Sequence, residues 1–219
     1  MHAFLIAISI VSAFAYGTKF TVQKPSVNRT VVKMLAVGSL VILGLHQTVP
    51  LPLLLALIFG TVGDGFLSRD GDKNFLAGLA AFLIGHICYI VLFVNVGAEF
   101  GALTEYTTRI TIAAFLIIIA VGVTISITPH LKELKLPVYA YVAISLVLGI
   151  AALMLPGSNA FLIVTLGAFM FITSDIILAY DLFVIPQESE VHDISARALW
   201  FLYWGGQLLI FWGITQAAL

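Results

Sequence analysis

The sequence predicts an all-α, polytopic membrane protein of eight transmembrane helices, and three observations predict it. Of 219 residues, 61% are hydrophobic and 10% are charged, against about 25% charged in an ordinary soluble domain. Mean hydropathy is +1.12. The apolar residues fall into runs of about 20, the length that crosses a bilayer core as a helix. These runs are too long, and alternate too little, for the strands of a membrane barrel. Eight of them fill residues 1–219 as a single transmembrane domain, with no room for a separate soluble one.

The spans are placed at 2–19, 29–46, 50–68, 74–96, 108–128, 137–155, 159–184 and 196–217. The first ends near Ala13-Phe14-Ala15, which resembles a signal-peptide cleavage site. No basic residue precedes it, whereas a signal peptide carries a positive n-region, so it is kept as span one. Pro25 precedes span two, and Ser26 or Asn28 can cap it. Span three runs from Pro50 with no charge before Asp64. Asp70-Gly71-Asp72-Lys73-Asn74 begins like a calcium loop but lacks the glycine at the sixth position and the acid at the twelfth, and is a solvated turn. Pro137 and Pro156 stand at span ends, where proline does least harm. The segment Pro186 to Ser195, with Glu188, Glu190, His192 and Asp193, is expected to be a loop, as a plain linker in preference to a mobile cap. Trp200, Trp204 and Trp212 are expected as interface anchors and lipid-facing packing.

Lys19, Lys24, Arg29, Lys33, Arg69, Lys73, Lys132, Lys135 and Arg197 lie in or beside the odd-numbered connections; only Arg109 lies in an even one. The positive-inside rule places the odd connections in the cytoplasm and both termini outside. In a bacterium the membrane would be the inner one. A net charge of −1 gives no electrostatic case for nucleic acid. Cys88 is the lone cysteine, which excludes a disulfide or a Cys-ligated metal site within one chain.

The chemistry centres on Asp64 in Gly60–Leu67 and on Asp175 in Thr173–Ala179. Each belongs to a small-Asp-x-x-Leu segment near the C-terminal end of an apolar run. Ionisable groups inside a membrane are costly and mark function by default. The two lie four helices apart, an even offset that keeps both halves in one orientation, as in a 4+4 parallel repeat. Gly85-His86 and Gly206-Gln207 also correspond loosely. The assigned orientation brings Lys33, Asp64, His86, Tyr89, Asp175, Tyr203 and Gln207 to mid-depth or the cytoplasmic half, with glycines beside them that allow close helix approach. A polar cavity open toward the cytoplasmic side follows. Plainer roles stand beside this one. The aspartates could be structural, Lys33 could snorkel to the interface, and His86, Tyr89 and Tyr203 could be packing residues. Asp181, Glu99 and Glu105 read as helix-end or loop charges. There is no paired-histidine zinc motif, nucleophile elbow or P-loop, which leaves two carboxylates, aided by a histidine, as the catalytic option.

With these residues in view, the sequence resembles the YhhN family of membrane lysoplasmalogenases, which includes the animal alkenylglycerophospholipid hydrolases. The resemblance rests on Lys33, Gly63-Asp64-x-x-Leu67, Phe75-x-x-Gly78-Leu79-x-x-Phe82-x-x-Gly85-His86-x-x-Tyr89, Ser174-Asp175-x-x-Leu178-Ala179 and Tyr203-x-x-x-Gln207-x-Leu209-Ile210, in family order across nearly the whole chain. Many members have proline after the span-two lysine, where this chain has Met34, a departure that bears on the pose of Lys33. The resemblance implies eight helices, a lysophospholipid substrate, hydrolysis of its vinyl ether bond to a fatty aldehyde and a glycerophospho-base, and no metal or cofactor.

That reaction suits the residues. Protonating the carbon beta to oxygen leaves an oxocarbenium ion that water attacks, much as in glycoside hydrolysis. One carboxyl must hold its proton near neutral pH, which apolar surroundings favour; the other, ionised, stabilises the cation and takes a proton from water. Asp175, the deeper residue, is assigned the acid role and Asp64 the base role. His86, Tyr203 and Gln207 would orient water or glycerol, and Lys33 would hold Asp64 or the substrate phosphate. The alternatives are a proton-coupled transporter using the same aspartates and an intramembrane aspartyl protease. Thr61, where the protease motif needs glycine, and the lack of a Pro-Ala-Leu block count against the latter.

Overall fold

The structure, a computed structural model, describes residues 1–186 and 188–217. Helices make up 86% of it, with no strand among the described residues. The elements are α1 (His2–Ala15), continued by a π-helical turn Tyr16–Phe20, α2 (Val27–Gln47), α3 (Leu51–Leu67), α4 (Asp72–Asn95), α5 (Phe100–Glu105), α6 (Thr107–Ile127), α7 (Lys135–Leu153), α8 (Asn159–Phe183) and α9 (Glu190–Ala217). Seven are long and apolar enough to cross a membrane, which makes this a multi-pass membrane protein. The other expected span, α3, has 17 residues, about 25 Å at 1.5 Å per residue, a little short of the ~30 Å hydrocarbon core.

Local chemistry sets the ends. Ser26 caps α2 by accepting from the Arg29 N–H at 3.2 Å, and Ser158 caps α8 by accepting from the Phe161 N–H at 3.3 Å. Gly71 precedes α4 at φ +101°, a conformation side chains disfavour. Two expectations are corrected. The segment expected as a loop from 186 to 195 is helical from Glu190, because Ser189 accepts from the His192 N–H at 3.2 Å and Glu190 and Asp193 supply acidic charge to the first turn; position 187 lies outside the described residues. The short helix α5 was not anticipated: its six residues are too few to show a period.

The packing pairs α2–α3, α3–α4, α4–α7, α7–α8, α8–α9 and α9–α2 close a six-helix ring. Helix α1 lies outside this ring on α2, and α6 lies outside on α7 and, more loosely, α8. The α8–α9 crossing is the tightest: a Cβ on Gly167 would stand 2.8 Å from the Gly206 carbonyl oxygen, and one on Gly206 2.7 Å from that of Gly167. Only glycine permits such backbone approach. Two of the three tryptophans do not face lipid. Trp200 is 1% exposed and donates from Nε1 to the Ala13 carbonyl at 2.8 Å; buried Trp204 donates to Ser9 Oγ at 3.0 Å. Both indole N–H groups find partners on α1, which ties that helix to α9 and explains their inward position. Trp212, 49% exposed, is the one on the outer surface.

Candidate intramembrane carboxylate site

Helical periodicity aims the polar residues inward. In α3 the buried positions are Leu53, Ala56, Leu57, Gly60, Gly63 and Asp64, one stripe at three- and four-residue spacing that ends in the carboxylate. In α4 the stripe Gly78, Phe82, Gly85, His86, Tyr89 and Phe93 carries the histidine, and in α9 Trp200, Tyr203, Gln207 and Ile210 carry the phenol and the amide. Asp175 lies one turn beyond Phe171 on the inner face of α8.

Asp64 is 1% exposed. Its Oδ1 faces Lys33 Nζ at 3.4 Å, and its Oδ2 accepts from the Tyr203 hydroxyl at 2.9 Å. Lys33 is buried as well, its ammonium 5.6 Å from the centre of the Tyr16 ring and 5.8 Å from that of Trp200. It does not snorkel: it faces the buried Asp64 carboxylate, and two aromatic faces lie beside the cation. Asp64 Oδ1 accepts no hydrogen bond. Gly60 makes room for the α9 groups, since a Cβ there would stand 3.2 Å from the Tyr203 oxygen and 3.1 Å from Gln207 Nε2.

Asp175 has a different neighbourhood. Its Oδ1 accepts from the Tyr141 hydroxyl at 2.9 Å, and its Oδ2 accepts from Ser145 Oγ at 3.2 Å and lies 2.9 Å from His86 Nε2. His86 is fully buried, and its Nδ1 lies 2.8 Å from the Phe82 carbonyl oxygen. A carbonyl oxygen only accepts, so Nδ1 carries a hydrogen. Nε2 then meets Oδ2 either as acceptor from a carboxylic acid or as the second N–H of an imidazolium. Ser145 Oγ also lies 3.4 Å from Nε2. Asp64 has a lysine for a partner; Asp175 has a histidine.

Both carboxylates line one chamber of about 560 Å³. Its wall also takes in Lys33, Phe82, Phe171 and Tyr203, and its rim is made of residues from the odd connections, among them Lys24, Arg69, Asp72, Leu134 and His192. The cavity expected from sequence is therefore present and opens at the end that carries the basic loops. Tyr89 donates to Gln207 Oε1 beneath it. Of the residues singled out from sequence, Lys33, Asp64 and Tyr203 form one cluster, His86 and Asp175 a second, and Tyr89 and Gln207 a supporting pair. Tyr141 and Ser145 were missed. Their signal was available: they stand four apart on the buried stripe of α7, in line with Val138 and Leu148. Asp181 is more than a helix-end charge, since it accepts from Ser195 Oγ and lies 2.8 Å from His192 Nδ1 at the rim. Among the described residues no three His, Cys, Asp or Glu side chains converge to hold a metal ion.

A helical membrane bundle with buried carboxylates around an aqueous-facing chamber is the class that fold and site define. The family model described as the YhhN family matches residues 28–214, and the chain belongs to that family. Comparisons with curated proteins and with solved structures return no match. Membership and fold are consistent with a membrane hydrolase.

Proposed function

We propose that this protein is a lysoplasmalogenase: it hydrolyses the vinyl ether bond of a single-chain alkenyl phospholipid to a fatty aldehyde and a glycerophospho-base. The observation that carries the reading is the asymmetry of two carboxylates in one chamber, Asp175 Oδ2 2.9 Å from His86 Nε2 and Asp64 Oδ1 3.4 Å from Lys33 Nζ. The proton between Asp175 Oδ2 and His86 Nε2 goes to the alkenyl carbon beta to oxygen. The double bond's electrons form the new C–H bond, and the adjacent carbon becomes an oxocarbenium ion. Asp64, ionised beside Lys33, faces this cation across the chamber, and its unfilled Oδ1 accepts a proton from the attacking water. The resulting hemiacetal collapses to aldehyde as its hydroxyl proton passes to the departing glycerol oxygen, and the proton taken by Asp64 returns through the chamber to the Asp175–His86 pair. Tyr141, Ser145 and Tyr203 hold the carboxylates in place and supply the hydrogen bonds that their burial would otherwise leave unmade.

The reading extends to topology. Eight crossings, including the shorter α3, a 4+4 parallel repeat and extracytoplasmic termini fit the paired packing of α3 on α4 and α8 on α9, and of α1 on α2 and α6 on α7. The chamber rim draws on the odd connections alone, which favours an enzyme open to one side over a transporter needing access to both. The test is aldehyde release from alkenyl-lysophospholipid by detergent-purified protein, with the acyl analogue as control. Release that disappears in Asp64→Asn and Asp175→Asn, both still monodisperse, supports the reading. Equal turnover in wild type and both variants sinks the two-carboxylate mechanism.

A further inference from the structure

A second cavity meets the chamber at Asp175. It is a slot between α6, α7 and α8, closed on its inner side by Leu79 of α4. Its walls are apolar: Leu116, Ala120 and Val123 from α6, Val142 from α7, Ile176 and Ala179 from α8. The polar groups in it are Tyr141, Ser145 and Asp175, the two hydroxyls both donating to the carboxylate. Tyr141, Asp175, Leu178 and Phe183 line both cavities. The outer wall is α6, the least embedded of the long helices, with 17% of its apolar window buried and Ile118 and Ile119 exposed on its surface. The slot thus joins the lipid-facing side of the bundle to the Asp175 carboxylate. On the far side of that carboxylate the chamber runs to a rim where Lys24, Arg29 and Arg69 stand beside Asp70 and Asp72, while Lys33 is committed to Asp64.

We propose that the slot between α6, α7 and α8 binds the hydrocarbon chain of a single-chain amphiphile, entered sideways from the bilayer, with the phosphate directed to the basic rim and the chain-to-glycerol linkage held at Asp175. This rests on the proposed reaction for the identity of the linkage but not for the binding site. Continuity decides the occupant. A chain in the slot and a charged head group in the chamber place the junction of the molecule where the cavities meet, and the slot, with about 70 Å³ of free space, has room for no more than one chain. Phe183 and Leu178 stand at the crossing and would set how far the chain is inserted.

The test uses the full-length protein in nanodiscs and a non-hydrolysable alkyl-lysophosphatidylcholine with a diazirine in its chain. Crosslinks are mapped by mass spectrometry in wild type, Ala120→Phe and Ala179→Phe. The expected result is labelling concentrated on Leu116–Val123 and Ile172–Ala179, competed by unlabelled alkyl-lysophospholipid and reduced about tenfold or more in either variant, the scale on which pocket shape discriminates hydrocarbon. Labelling spread over the outer surface, including the α2 face at Val31 and Leu35, and indifferent to the competitor would overturn the proposal. So would labelling confined to the chamber around Trp200 and Tyr203. The wild-type map decides the point if a variant fails to fold. Slot labelling together with no aldehyde from the alkenyl lipid would leave the binding site standing and refute the proposed reaction alone.

Discussion

The Lys33–Asp64 pair offers the sharpest perturbation. Both side chains are buried and their charged atoms stand 3.4 Å apart. At an effective dielectric of 20 that separation corresponds to an attraction of about 5 kcal/mol. Removing one partner from a buried pair costs roughly 3–5 kcal/mol, because the other charge is stranded. Lys33→Met therefore destabilises by about that amount, with up to ~1 kcal/mol more from each lost contact to Tyr16 and Trp200. Asp64→Asn alone strands the ammonium and costs a similar sum. The double variant Lys33→Met/Asp64→Asn strands nothing, so it should recover most of the loss. A coupling energy of at least ~2 kcal/mol in the cycle is expected, above the additivity error of ~0.5 kcal/mol for independent sites. The assay is equilibrium denaturation in mixed micelles, followed by tryptophan fluorescence. Aldehyde release measured in parallel should stay lost in the double variant, because the ionised carboxylate is gone even though the fold is not. A coupling energy near zero would refute the reasoning, since it would mean that Asp64 carries no charge for Lys33 to balance.

Four further outcomes follow from the same geometry. His86→Gln should lower turnover by about 10²–10⁴, the usual weight of a positioned acid or base, and the double variant His86→Gln/Asp175→Asn should be no slower than the worse single one, because the two residues hold one proton between them; single-turnover aldehyde release measures both. Gly167→Ala places a Cβ 2.8 Å from the Gly206 carbonyl oxygen and should destabilise by about 1–3 kcal/mol, while Gly122→Ala, with nothing within 4 Å, should not; thermal unfolding of the two variants side by side decides it. Ser9→Ala leaves the buried Trp204 indole N–H without its acceptor and should cost about 1–3 kcal/mol, read by denaturation, with acrylamide reaching Trp212 before Trp204. For topology, single cysteines at Arg69 and Glu99 in a Cys88→Ala background should be labelled by impermeant maleimide from opposite faces, Arg69 from the cytoplasmic side; labelling from the same face would overturn the orientation.

Much of this was legible because bilayer physics leaves few choices. Every long apolar run became a helix, since in hydrocarbon a helix satisfies its backbone groups internally. The odd connections came together at one rim, as their charge implied. The two aspartates were conspicuous because a charge inside an apolar run requires a reason. What was not legible depended on side-chain partners from distant helices. Tyr141 and Ser145 are ordinary in a membrane helix until Asp175 is seen 2.9 and 3.2 Å away, 34 and 30 residues along the chain. Trp200 and Trp204 look like interface anchors until Ala13 and Ser9, nearly two hundred residues upstream, are found accepting from them. The start of α9 was misjudged for another reason. Its first turn is polar because it lies at the rim, and such polarity reads as a loop although Ser189 and the acids behind it spell a helix start.

The arrangement of the two carboxylates also accounts for why the proposed reaction would use both. Each takes one contact from the other half of the chain, Asp64 of α3 from Tyr203 of α9 and Asp175 of α8 from His86 of α4, beside partners from its own half. The Tyr89–Gln207 bond joins those same two helices, α4 and α9, below the chamber. The two carboxylates differ in what meets them, a phenol and a lysine at Asp64, a histidine, a phenol and a serine at Asp175. A symmetric pair of equal carboxylates would share one task and lack a donor or an acceptor. Two unlike partners on a common layout give one chamber a group that gives up a proton and a group that takes one, the minimum that adding water across an alkenyl ether requires.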